Sequence, residues 1–135
     1  MKTAVSMQKI ITAIAEKHTL DLTASESHLR LEQPGFMPLV IEKIGQHLVS
    51  VAHYYTQEGD LMADPEIVYF TGYEEWVPTQ ITQAPWGCWD AAELSSEGTA
   101  IKSFNPQKQA DLAAFSNDWV ENISAQHWLD AKPVI

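Results

Sequence analysis

The chain is short of positive charge, glycine and cysteine. Its 135 residues include eight Lys and Arg against eighteen Asp and Glu, six Gly, and a single Cys at position 88. One cysteine excludes a disulfide within the chain, so stability rests on packing, as in a reducing compartment. Six glycines form no phosphate-cradling loop, and no Gly-x-Ser-x-Gly elbow is present. No apolar run reaches the length of a membrane span. The N-terminal apolar residues are broken by Gln8, Lys9, Thr12 and Glu16, which is not a signal-peptide core. These absences lead to the expectation of a cytoplasmic domain. A formal charge of −10 argues against direct binding to nucleic acid or to an anionic membrane, both of which repel such a chain. The expected partner is a basic protein surface, or one that is neutral and apolar.

The deficit is sharpest in the middle. Between Ile44 and Ile101 there is no Lys or Arg, while Glu58, Asp60, Asp64, Glu66, Glu74, Glu75, Asp90, Glu93 and Glu97 supply nine carboxylates. The rest of the chain, with eight basic and nine acidic residues, is nearly neutral. Such a segment is either a well-solvated surface or, if a sheet gathers it, one negative field.

What is present suits a packed core. Apolar residues make up 45% of the chain, with five Trp, four Tyr and four Phe. The length fits one domain, residues 1–135, burying roughly two-thirds of the extended-chain surface. Met7, Ile10, Ile11 and Ile14 repeat at helical spacing and predict an amphipathic helix from about Thr3 to Lys17. Leu29 and Leu31 alternate with Arg30 and Glu32 as a short strand, and Gln33-Pro34-Gly35 marks a turn. Met37 to Ile44 and Leu48 to Tyr55 follow as strands, with Val49, Val51, His53 and Tyr55 sharing one face. The polar stretch with Gly59, Asp60, Asp64 and Pro65 reads as the connection to a strand at Ile67–Phe70. Trp76–Thr82 is a further strand, with Pro78 favouring a sheet edge. Pro85-Trp86-Gly87-Cys88-Trp89 is a cover for the core or a groove lining, and the run to Gly98 is a loop or weak edge strand. Asn105-Pro106 is a strong helix start, and Leu112, Phe115, Trp119 and Ile123 form a stripe to about His127, with a tail beyond. Short connections imply antiparallel pairing. The expected fold is α+β: an antiparallel sheet of about four to six strands with an N-terminal and a C-terminal helix packed on it.

Three stretches carry a resemblance: HYYTQEGDLMADPEIVYF from His53 to Phe70, Trp76-Val77-Pro78, and QADLAAFSNDWVENISAQ from Gln109 to Gln126. From about Gly35 to Trp128 the chain resembles an uncharacterised small domain family of phages, plasmids and other bacterial mobile elements. The resemblance implies a small α+β domain and brings no established activity. Where that family's pattern carries an aromatic-rich Gly-x-Tyr run, this chain has Trp86-Gly87-Cys88-Trp89.

Each chemical candidate has a plainer reading beside it. His53, Asp60, Asp64 and Glu66 offer imidazole and oxygen donors to a divalent metal, but the spacing matches no standard site. Asp60 and Asp64 read first as turn formers whose carboxylates bind nearby backbone amides. Cys88, between two tryptophans, reads as buried packing rather than a nucleophile. Glu74 and Glu75 read as solvent-facing loop residues. Trp86 and Trp89 are equally consistent with core and with a binding surface, while Trp119 and Trp128 read as core. The expectation is a non-enzymatic acidic protein without cofactor, binding a host macromolecule through Glu58, Asp60, Asp64, Glu66, Glu74, Glu75, Trp86 and Trp89, as a nucleic-acid mimic would. Two rivals stand against it: a small-molecule pocket between the sheet and the C-terminal helix lined by His53, Tyr54, Tyr55 and Trp86, and a metal-dependent hydrolase built on His53 and at least two carboxylates.

Overall fold

The computed structural model describes residues 1–84 and 86–134; Pro85 of the tryptophan-rich segment and the terminal Ile135 lie outside the described residues. The chain opens with α1 (Val5–Lys17), in which Met7, Ile11 and Ile14 are fully buried and Ile10 packs at the margin. No side chain caps the helix N-terminus. A later loop supplies the partners instead: Ala4 N–H donates to the Trp76 carbonyl (2.8 Å), Trp76 N–H to Gln8 Oε1 (2.9 Å), and Gln8 Nε2 to the Glu74 carbonyl (3.1 Å).

Six strands follow as a meander: β1 (His28–Glu32), β2 (Leu39–Gly45), β3 (Leu48–Gln57), β4 (Asp60–Phe70), β5 (Val77–Gln83) and β6 (Gly87–Asp90). Each pairs antiparallel with the next, as short connections require. The hairpin of β7 (Ala92–Leu94) and β8 (Ile101–Phe104) forms a separate two-stranded sheet, and α2 (Pro106–Ala125) comes next. After a 3-10 turn at Trp128–Asp130, β9 (Lys132–Pro133) adds to the free edge of β1 and completes a seven-stranded sheet. The fold is α+β, as the patterning implied. The segment expected to be a tail thus ends as an edge strand, and the acidic run leads into a hairpin. No described helix is long and apolar enough to cross a membrane.

Three local expectations change. The stretch from Glu58 to Pro65 is not a long connection. The turn is Glu58 and Gly59 alone, both at positive φ (52° and 86°), and Asp60 and Asp64 are strand residues. Two left-handed residues give a turn whose twist matches the flanking strands, so the hairpin zips to its tip despite its polar content. The carboxylates of Asp60 and Asp64 accordingly make no local backbone bond among the described residues. Pro78 lies on an interior strand, but beyond the end of β6 and at a register shift opposite Tyr69, where its missing N–H interrupts no regular ladder. Cys88 is exposed rather than packed, because its strand is a sheet edge with all four residues open to solvent.

Period-two alternation decides which face is covered. Leu29, Ile41, Val51, Ile67 and Ile81 stand in one cross-strand row, with Leu31, Leu39, Val49 and Tyr69 in the rows beside it. Both helices pack on this face. Helix α2 is capped by Asn105 Oδ1, which accepts from Lys108 N–H (3.0 Å), and it buries Leu112, Ala113, Ser116, Trp119, Val120 and Ile123, with Phe115 at the margin. Two polar ties fix it in place. The hydroxyls of Tyr69 and Ser116, both fully buried, bond at 2.8 Å, and Gln109 exchanges bonds with the Lys2 backbone at 2.8 and 2.7 Å. Burial pushes the Tyr69 hydroxyl well above the ordinary tyrosine range, so it stays neutral.

Trp119 is 7% exposed in the middle of this interface. Trp119→Ala should therefore lose about 3–5 kcal/mol of unfolding free energy in denaturant melts. A loss below about 1 kcal/mol would mean that α2 does not dock through that face.

Candidate functional site

The strand register places three connections at one end of the sheet: the β1–β2 turn, the Glu58-Gly59 tip and the β5–β6 turn. The last of these is held against β4 by Ala84 N–H, which donates to the Ala63 carbonyl (2.8 Å). Each connection presents an exposed apolar side chain. Phe36 and Met37 come from the first, Leu61 from beside the second, and Trp86, 87% exposed, from the third. Trp89 lies on edge strand β6 and is half open, on the helix side of the sheet opposite Ile81. Among these stand Glu58, Asp60 and Asp64.

A cleft of about 340 Å³ opens at the same end, between β3, β4 and α2, lined by Met37, His53, Asp64, Trp119, Asn122 and Gln126 among others. His53, only 5% exposed, forms its floor. Its Nδ1–H donates to the Met37 and Pro38 carbonyls (3.1 and 3.2 Å), which sets the neutral tautomer with a lone pair on Nε2. The ring packs edge-on to Trp119 and tilted to Trp128, with both centroids 5.6 Å away. Burial pulls the His53 imidazole below its ordinary value; the two carbonyls and the Asp64 carboxylate oppose that shift without overcoming it.

A bulge brings Asp64 to this cleft. Ala52 opposes Glu66 while Tyr54 opposes Ala63, so Asp64 and Pro65 together face His53. The other expected residues part company. Glu66 points to the opposite face, where Ser50 Oγ donates to its Oε2 (2.5 Å). Tyr54 lies on that face too, its hydroxyl pushed up to about 12 by burial and then by Glu66 and Glu42. Glu74 and Glu75 sit in the loop after β4, at the far end of an eleven-residue strand, where Thr3 Oγ1 donates to Glu75 Oε1 (3.0 Å). At about 3.4 Å per residue they are roughly 35 Å from Asp60. With a screening length of about 8 Å at physiological salt, the two ends do not act as one field.

The pocket expected around Tyr54, Tyr55 and Trp86 is therefore not formed by them. Trp119, Asn122, Gln126, Met37 and Phe36 line the cleft in their place. Their only trace in the sequence is the i, i+3, i+7 spacing of Trp119, Asn122 and Gln126 on one helix side. Among the described residues no group of three His, Cys, Asp or Glu converges to hold a metal ion. His53 meets one carboxylate, where the hydrolase reading requires two.

The fold and this end of the sheet define a meander α+β domain with a base-poor, aromatic-studded loop end and a histidine-floored cleft. The chain belongs to DUF6908, a domain of unknown function, whose profile matches residues 7–129. No curated protein and no solved structure matches it.

The lowered affinity of His53 for protons gives a pH dependence. Unfolded, the imidazole titrates near 6.5; folded, it titrates lower. Below pH 6.5 the unfolded chain takes the proton first, so stability contributed by neutral His53 is present above that pH and is lost as pH falls through the folded value. Asp64 is the charged group facing the ring; α2 contributes only Trp119, Asn122 and Gln126 there, and the 3-10 turn contributes Trp128. Urea melts between pH 7.5 and 5 should show a shallower acid loss for His53→Gln than for the parent. Equal slopes would place His53 outside the acid transition.

Proposed function

We propose that this domain is a non-enzymatic binding module that engages a basic macromolecular partner through its loop end, with Trp86 as the apolar anchor and Glu58, Asp60 and Asp64 as the charged surround. The supporting observation is Trp86 itself. A tryptophan that is 87% exposed at a turn contributes nothing to the core, while a large aromatic is the residue type that most often carries interface energy. Its setting is a segment from Ile44 to Ile101 without a single Lys or Arg, so that segment itself presents no like charge to a cationic surface. Glu58 adds to the case. At φ 52° in a two-residue hairpin turn, Asn or Gly is favoured, and a glutamate there gives up local stability for a carboxylate at the tip. The proposed partner class is a host protein, a reading that the resemblance to mobile-element sequences favours, and acidic mimicry of nucleic acid is one form such binding takes.

The test is affinity capture from the natural host with three baits, followed by mass spectrometry. The parent protein and a Glu74→Gln, Glu75→Gln variant should retain the same basic protein, since those residues lie at the far end. Trp86→Ala combined with Glu58→Gln and Asp60→Asn should lose it, with stability changed by less than about 0.5 kcal/mol for each exposed site. Binding by the parent should weaken steeply between low and physiological salt. Retention by the triple variant at parental strength refutes the assignment of this surface.

A separate readout comes from the turn. Glu58→Asn should raise stability by about 0.5–1 kcal/mol in denaturant melts while slowing association with the captured partner.

A further inference from the structure

We infer that the His53 cleft is a receptor for a guanidinium group, which the basic partner presents as an arginine side chain. This rests on the partner being basic, as argued above, but apart from Asp64 the site is built by different residues. His53 is 95% buried, and its Nδ1–H is committed to two main-chain carbonyls. Among the described residues the enclosed polar atoms that lack any partner are His18 Nε2 and Ser27 Oγ, so Nε2 of His53, which has no protein hydrogen bond there, keeps its exposure toward the cleft it lines. A neutral imidazole held in this tautomer offers only a lone pair at that nitrogen, so a ligand must bring a donor. Asp64 stands on the same side across the bulge and forms no ion pair with His53 among the described residues, leaving its carboxylate as a second acceptor.

Two acceptors, one of them charged, select a cation with more than one N–H. Guanidinium carries five N–H donors in a plane, and it remains charged wherever it is buried. The walls suit that plane. Trp119 lines the inner side and Phe36, 47% exposed, the mouth, giving aromatic surface against which a guanidinium stacks and an ammonium gains less. At about 340 Å³ the cleft is at the small end of ligand sites, the scale of one side chain rather than of a cofactor. No Lys or Arg occurs from position 44 to 101, so neither β3 nor β4 supplies a cation of its own to fill it.

The experiment uses the full chain and calorimetric titration, with the His53 ring resonances followed by NMR. The probes are a short glycine-flanked arginine peptide, its lysine and citrulline counterparts, and free agmatine. The arginine peptide should bind saturably and shift the His53 ring signals, the citrulline peptide should bind at least tenfold more weakly, and lysine should fall between. Asp64→Asn, confirmed folded by its melt, should weaken arginine-peptide binding about tenfold, the loss of one charge-assisted contact. The probe series on the parent protein decides the matter even if that variant fails to fold. No saturable shift, or equal binding of the lysine or citrulline peptide, overturns the inference. Saturable binding of agmatine with none of the arginine peptide overturns its assignment to a partner side chain. Because these probes are short peptides read on the His53 ring, a failure of the Trp86 surface in host capture and a failure of this cleft are read separately.

Discussion

One extra residue in β4 organises the loop end of this domain. Were β3 and β4 paired without interruption from Ala52–Glu66 onward, Asp64 would stand opposite Tyr54, on the face away from the helices. The bulge puts Ala63 there instead and leaves Asp64 and Pro65 together opposite His53. Because side chains alternate with a period of two, a shift of one residue reverses which face a side chain occupies. A carboxylate is thereby moved from the Glu66–Tyr54 side to the imidazole side. Pro65, with no N–H to donate, occupies the place where the ladder is already broken.

The histidine on the other side of that bulge depends on the packing of α2. His53 belongs to the same row as Leu31 and Leu39, where an aliphatic residue would fill the space. Its polarity is tolerated because Nδ1 reaches the Met37 and Pro38 carbonyls and the ring fits between Trp119 and Trp128. A buried polar group is costly only when its partners are missing. The arrangement leaves one nitrogen of a nearly enclosed ring available, and Trp119, one of the two tryptophans that hold the ring, also forms a wall of the cleft.

Charge is distributed by the same topology. The meander sends successive connections to alternate ends, so carboxylates close in sequence divide between two ends and two faces. Glu58, Asp60 and Asp64 remain with Trp86, Glu66 turns to Ser50 on the far face, and Glu74 and Glu75 brace the start of α1. The base-free segment is therefore several local environments, of which the loop end carries the most exposed large apolar side chain, Trp86.

The amino-acid sequence by itself determined the elements whose signals are local. The stripe of Met7, Ile11 and Ile14, the alternation of Leu39, Ile41, Val49 and Val51, and the Asn105-Pro106 cap each act over one or two turns or along one strand, and each element formed where its pattern lay. Short segments without such a signal, Ile101–Phe104 and Lys132–Pro133, became strands because a partner strand was at hand. The tertiary structure alone decided the site. Whether Cys88 is buried depends on β6 being an edge, whether Asp60 lies in a turn depends on two backbone angles at Glu58 and Gly59, and whether Asp64 meets His53 depends on a bulge. Residues 53 and 64 are joined to Trp119 and Gln126 only through the docking of α2 on the sheet. That contact spans about half the chain and is set by the summed burial of the core face rather than by any short stretch of residues.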